Sequence, residues 1–363
     1  MRSDLLEELK EITEMISQES RVSSSEGIER SRKYIRSYVK AKGINVREEI
    51  FEVEKDLPLK SSLTVDGEEI EIFPFVGSLQ GEREGEVVDE EEDVKGKIAL
   101  AKVGGVRESQ KALQLKERGA TGAIFYMDEL DSPFIGTLNG TRFLAVSTRR
   151  DKAISLKGKK VRLVSRVSRK KITGRNLYFD IGKGPFLYLI AHLDTKPFVK
   201  GAIDNALAVS LLLIMFKELC KSYHFPYRIR FLITDCEELG LEGSIHHAKS
   251  LKYTDWAINL DSIGWVNPAV IYKDSEGMNG ERIMDKFDKH LRDLKIDIPF
   301  REGKRGRSDH IPFKKAGVET LFLSSNPFTL RHTFYDSYEA IDWDTAEVWF
   351  EVLISFIRRF HKL

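Results

Sequence analysis

The stretch that most constrains this chain is FLYLIAHLDTKPFVKGAIDNA, residues 186–206. Its six opening residues, Phe186 to Ala191, are apolar without a break, the pattern of a strand buried on both faces of a parallel sheet. His192 and Asp194 follow at the carboxyl end of that run. Side chains two apart on a strand share a face, so the two can meet, and a carboxylate beside an imidazole frees the other ring nitrogen as a ligand. Asp204 then stands directly before the apolar helical run Asn205 to Tyr223. Taken alone, Asp204 reads as a helix N-cap and His192 as a core histidine with a satisfied hydrogen bond.

After Gly174 the same texture repeats. Strands are expected at 177–181, 186–191, 228–234, 256–260 and 318–323, and helices at 205–221, 243–250, 280–293 and 344–361. Alternation of this kind predicts an α/β fold with a mostly parallel central sheet and helices on both faces. Asp344 and Glu347 have the spacing of a capping box for the last helix. Two amphipathic helices precede this region, the first carrying Leu5, Leu9, Ile12 and Ile16, the second starting near Ser25 and ending at Gly43. A strand over 44–53 follows.

Residues 51–169 read differently: short β-like runs separated by glycines and charge clusters, with no histidine. We expect an inserted, mainly-β accessory domain with its own core that borders the crevice of a catalytic domain formed by 1–50 and 170–363. Composition excludes several function classes. With 58 basic and 57 acidic residues there is no global field to attract nucleic acid or an anionic membrane. No apolar run approaches the ~20 residues of a membrane span, and the first residues lack the apolar core of a signal peptide. Two cysteines, Cys220 and Cys236, make no disulfide framework, and Cys236 reads as a packing residue. These features point to a cytoplasmic protein; a homo-oligomer stays open.

The residues that carry chemistry fall just after strands, where open α/β sheets place ligands. They are His192 and Asp194, then Glu237 and Glu238 after 228–234, Asp261 after 256–260, and His332 after 318–323. Converging carboxylates without a cation would repel one another. A divalent pair relieves this, mixed N/O ligands suit zinc, and two ions ~3.5–4 Å apart sharing a carboxylate form a hydrolase arrangement.

Together, His192-Leu-Asp194, Gly201-Ala-Ile-Asp204-Asn205, the Glu237-Glu238 run to Ser244, Asn259-Leu-Asp261-Ser-Ile-Gly264, His332-Thr-Phe-Tyr-Asp336 and Ser308-Asp309-His310-Ile-Pro-Phe313 resemble the M28 family of zinc aminopeptidases. The segment from Lys95 to Phe125 is similar to the protease-associated (PA) domain inserted in many of its members. The resemblance implies two Zn2+ per chain bridged by Asp204, with His192 and Asp261 completing one site and Glu238 and His332 the other. It further implies that Asp194 supports His192, that Glu237 is the general base, and that the substrates are peptides with a free N-terminus. Asp309 and His310 are expected as supporting groups. Where some relatives have a tyrosine three residues before the Ser-Asp-His motif, this chain has Arg305, with Arg307 and Arg331 nearby, so the oxyanion donor stays open. The alternatives are a glutaminyl-cyclase-like mononuclear zinc acyltransferase and a non-catalytic, peptidase-like binding module. His246 and His247, adjacent on one helix, read as surface or packing residues.

Overall fold

A computed structural model describes residues 1–138, 140–221, 225–251, 255–303 and 306–363. Among them, a nine-stranded sheet and a closed seven-stranded barrel form a mixed α/β molecule. The sheet is built around Phe186–His192, which pairs in parallel with Arg228–Thr234 on one side and Trp256–Leu260 on the other. Trp256–Leu260 pairs in parallel with Glu319–Ser325. These four strands are the parallel core. The core is joined antiparallel to Val167–Gly182 on one side and to Pro268–Asp274 on the other. The expected mostly parallel sheet is therefore a mixed one, with a parallel centre and one further parallel pair, Phe300–Glu302 beside Pro268–Asp274.

The alternation of a strand explains how both faces are covered. Leu187, Leu189 and Ala191 point into the larger core, while Tyr188 and Ile190 point to the opposite face with Leu232 and Phe313. The helix Leu207–Leu219 lies inside the larger core, with every residue except Lys217 and Glu218 buried. That is why its sequence is apolar all round and not striped. Ser3–Ser17, Glu281–Leu294 and Trp343–Arg359 also contribute buried residues to this core. The second helix starts at Ser25, whose side chain accepts the N–H of Ile28. The last helix is capped by Asp342, which accepts the N–H groups of Asp344 and Thr345, and not by Asp344 as its spacing to Glu347 suggested. Pro268–Asp274 is a strand that the sequence pattern did not show.

The barrel strands lie between Ser61 and Ser165, with an apolar core centred on Leu63, Ile98, Ile124 and Leu163. A second cluster lies beneath the helix Glu108–Glu117. The barrel is joined to the sheet by an antiparallel ribbon in which Arg47–Pro58 pairs with Val167–Gly182, from Arg47 opposite Tyr178 to Pro58 opposite Val167. Positions 51 and 169 both lie within this ribbon. Among the described residues no helix is long and apolar enough to cross a membrane.

Candidate metal centre

Because the four central strands are parallel, their carboxyl ends meet at one edge of the sheet. His192 is the last residue of its strand, Glu237 and Glu238 follow Thr234, Asp261 follows Leu260, and His332 is reached by the loop after Ser325. Asp204 is not a helix cap. The helix begins at Leu207, and Asp204 sits in a non-helical turn before it (φ −114°, ψ 80°). That turn is held by Asp336, whose two carboxylate oxygens accept the N–H groups of Ile203 at 2.7 Å and Asp204 at 3.1 Å. The Asp204 carboxylate is thereby turned toward the strand ends.

Its two oxygens face two different partners. Oδ1 lies 3.0 Å from His192 Nε2, which is also 3.8 Å from Asp261 Oδ1. Oδ2 lies 3.5 Å from His332 Nε2, which is 3.1 Å from Glu238 Oε1. Two triads result, His192–Asp204–Asp261 and Asp204–Glu238–His332, and in each the ligand atoms lie within 4.8 Å of one another. His192 Nε2 and Asp204 Oδ1 are buried yet neither has a hydrogen-bond partner, which native interiors rarely tolerate. A cation between them would satisfy both, so the residues present fit a metal ion.

The electrostatics agree. Burial opposes charge on His192, but the carboxylates of Glu237, Asp204 and Asp261 outweigh it and push the imidazole well above its ordinary range. Asp261 is held down at about 2 despite its burial, by His192, Ser308 and Ser262. The adjacent glutamates are driven apart. Burial raises Glu237 well above the ordinary carboxyl range. Burial works against ionised Glu238 too, but His332 and Lys196 hold its pKa well below that range. Divergent environments of this sort give two adjacent carboxylates different proton affinities, the higher at Glu237.

Asp194 faces His192 with its backbone more closely than with its side chain. Its carboxylate lies 3.9 Å from His192 Nδ1, and the atom facing Nδ1 at 3.0 Å is Asp194's own carbonyl oxygen. The carboxylate instead accepts the backbone N–H groups of Glu237 at 3.0 Å and Glu238 at 3.1 Å. It fixes the glutamate pair from below. Asp309 is buried and accepts a hydrogen bond from Thr234, outside both triads. His310 turns away, pairing with Asp274 at 2.9 Å and stacking on Phe322. Arg305 lies outside the described residues. Cys236 is buried in an apolar cluster. His247 is buried against Glu49 at 2.8 Å, and His246 stacks on Phe51.

Two groups at the site have roles that the sequence did not disclose. One is Asp336, described above. The other is Lys196, a buried ammonium that forms an ion pair with Glu238 Oε2 at 2.7 Å and donates to the Glu238 carbonyl at 2.6 Å and to Thr137 Oγ1 of the barrel at 2.7 Å. The barrel touches the site elsewhere as well. Ile135 donates its N–H to the His332 carbonyl at 2.9 Å, and Phe134 packs on the His332 ring.

The model of peptidase family M28 matches residues 176–357. The chain belongs to peptidase family M28. The PA domain model matches residues 74–156, within the barrel region. Aminopeptidase YwaD of Bacillus subtilis is 29% identical over 271 residues, covering 69% of this chain and 59% of that protein. A probable lipoprotein aminopeptidase, LpqL of Mycobacterium tuberculosis, is 25% identical over 64% of this chain and 51% of its own length. The chain thus spans little more than half the length of these relatives. The structure of BSAP, a zinc aminopeptidase from Bacillus subtilis, superposes with a TM-score of 0.80 at 22% identity, covering 98% of this chain and 94% of that one. A glutaminyl cyclase from Porphyromonas gingivalis shares the fold at a TM-score of 0.58 and 12% identity, covering 98% and 99%.

Proposed function

We propose that this chain is a zinc-dependent aminopeptidase that hydrolyses the N-terminal peptide bond of peptides with a free amino terminus, using two zinc ions and Glu237 as general base. The observation that carries the reading is the placement of one buried carboxylate, Asp204, with an oxygen toward each of two ligand triads. His192 and Asp261 would hold one ion, Glu238 and His332 the other, and Asp204 both. When bound, such a pair supplies an acidified water and polarises the scissile carbonyl.

The protein's own residues do the rest. Glu237 lines the same cavity as Glu238 and His332 but belongs to neither triad, so its carboxyl is free to exchange a proton. It takes a proton from the attacking water and delivers it to the leaving amine. Asp194 sets the backbone of the pair so that Glu237 and Glu238 keep separate tasks. The catalytic part comprises 1–50 and 170–363, with 51–169 as an accessory domain bordering the crevice. Two triads sharing a carboxylate favour this reading over a mononuclear cyclase, and intact triads favour it over a non-catalytic module.

Glu237→Gln keeps size and hydrogen bonding while removing basicity. Proton-transfer catalysis is worth ~10²–10⁴-fold, so kcat on an aminoacyl-p-nitroanilide should fall by that factor. Bound zinc and KM should change little, because no ligand is removed. Near-wild-type turnover in this variant would rule out Glu237 as the base.

A further inference from the structure

A second cavity, of about 370 Å³, opens beside the metal centre on the Asp261 side and is bordered by Arg307 and Arg331, with Ile271, Phe322 and Phe328 as its apolar walls. A volume of this order suits a small ligand or one side chain with room for water. Arg331 precedes His332, is half-buried, and among the described residues makes no hydrogen bond and no ion pair. The carboxylates it senses at longer range are Asp204, Asp261 and Glu238, the groups assigned above to zinc, and Glu108. Once divalent ions take up the charge of those three, the counter-charge left to Arg331 is Glu108, which lines the first cavity and not this one. Arg307 is only loosely paired: its Nε is 4.0 Å from Glu276 and has no hydrogen-bond partner. The one acidic group at the far wall, Glu302, is engaged by Lys273 at 3.0 Å.

Direction follows from the base. Arg307 and Arg331 stand between the two cavities and line both, whereas Glu237 lines only the first. The leaving amine must receive its proton from Glu237, so the departing peptide lies on that side. The residue being released then places its side chain in the second cavity. A guanidinium facing a carboxylate forms a strong charge-assisted pair, and a basic pocket discriminates against a cationic side chain by repulsion. Resting on the aminopeptidase reading above, we propose that this cavity selects an acidic N-terminal residue, glutamate or aspartate, with Arg331 and Arg307 as the residues that set the preference.

The test compares kcat/KM of the zinc-loaded full chain on glutamyl-, aspartyl-, leucyl- and lysyl-p-nitroanilide. An acidic substrate should exceed the leucyl one by at least ~10-fold, with the lysyl one poorest. Arg331→Met should lower the glutamyl-to-leucyl ratio by ~10–100-fold, Arg307→Met by less, and Arg331→Glu should move the preference toward lysine. Leucyl or lysyl hydrolysis as the favoured reaction, with a ratio unmoved by Arg331→Met, would overturn the specificity and leave the aminopeptidase standing. Failure of all four substrates would take down the aminopeptidase reading and the specificity together.

Discussion

The two triads share Asp204 yet are built from different materials. His192–Asp204–Asp261 is assembled at the ends of neighbouring parallel strands, and among the described residues no lysine or arginine pairs with His192 or Asp261. Ser262 donates to Asp261 Oδ1 at 2.8 Å, so its support is neutral. Asp204–Glu238–His332 is completed by loops. His332 has a positive φ of 61° and packs on Phe134 of the barrel, while Glu238 already carries a cation of its own in Lys196. A sheet edge supplies rigid geometry but only the residues its strands happen to end on. A loop can bring in a group from a distant part of the chain, and here it brings a positive charge that competes with any ion. The difference implies unequal affinities, with the loop-built triad the weaker.

The largest effect should come from the residue the triads have in common. Asp204→Ala removes a ligand from both, so metal analysis of protein never exposed to chelator should fall from about two ions per chain to near none. Retention of one ion would show that Asp204 serves a single triad. Next in size is Asp194→Asn. An amide cannot accept both N–H groups of the Glu237–Glu238 pair, and outer partners of ligands are worth ~10–100-fold in affinity. Titration with zinc should show that loss mainly at the triad containing Glu238. A loss mainly at the triad containing His192 would return the Asp194 carboxylate to the role of orienting His192. Smallest is Lys196→Met, which keeps the length of the side chain and removes its charge. Like charges repel strongly at such short range when screened from water, so the weaker site should bind about tenfold tighter. Unchanged or weaker binding would mean that Lys196 serves only to orient Glu238.

How much of this was readable beforehand depended on how local the signal was. Phe186–His192 announces itself because a strand buried on both faces must be apolar throughout. The Glu237–Glu238 pair stands out from other Glu pairs because it ends such a strand. Pro268–Asp274 escaped because a run opening on proline after Asn267 and closing on Lys273 and Asp274 looks like a turn. Asp342 rather than Asp344 caps the last helix because an Asp–x–x–Thr spacing serves as well as Asp–x–x–Glu, and the choice rests on where the chain enters. The parts of Lys196 and Asp336 were illegible for another reason. Their partners lie 42 and 59 positions away for Lys196, and 132 and 133 for Asp336, so no spacing rule reaches them. Asp194 shows the limit of a strand rule at a strand's end. It follows His192 by two, but the chain has left the strand, and its carboxylate serves the next loop.

The ribbon that carries the barrel has a consequence for how such proteins change. Two strands in continuous register, and not two flexible tethers, link barrel to sheet. In paired strands a slip of one residue turns every side chain to the opposite face. A single-residue insertion between Glu52 and Leu57 would thus rotate the barrel's approach and draw Thr137 away from Lys196, whereas a two-residue insertion would preserve facing and only lengthen the arm. Variation in this arm is therefore quantised, with chain lengths that keep the faces in phase favoured over those that do not.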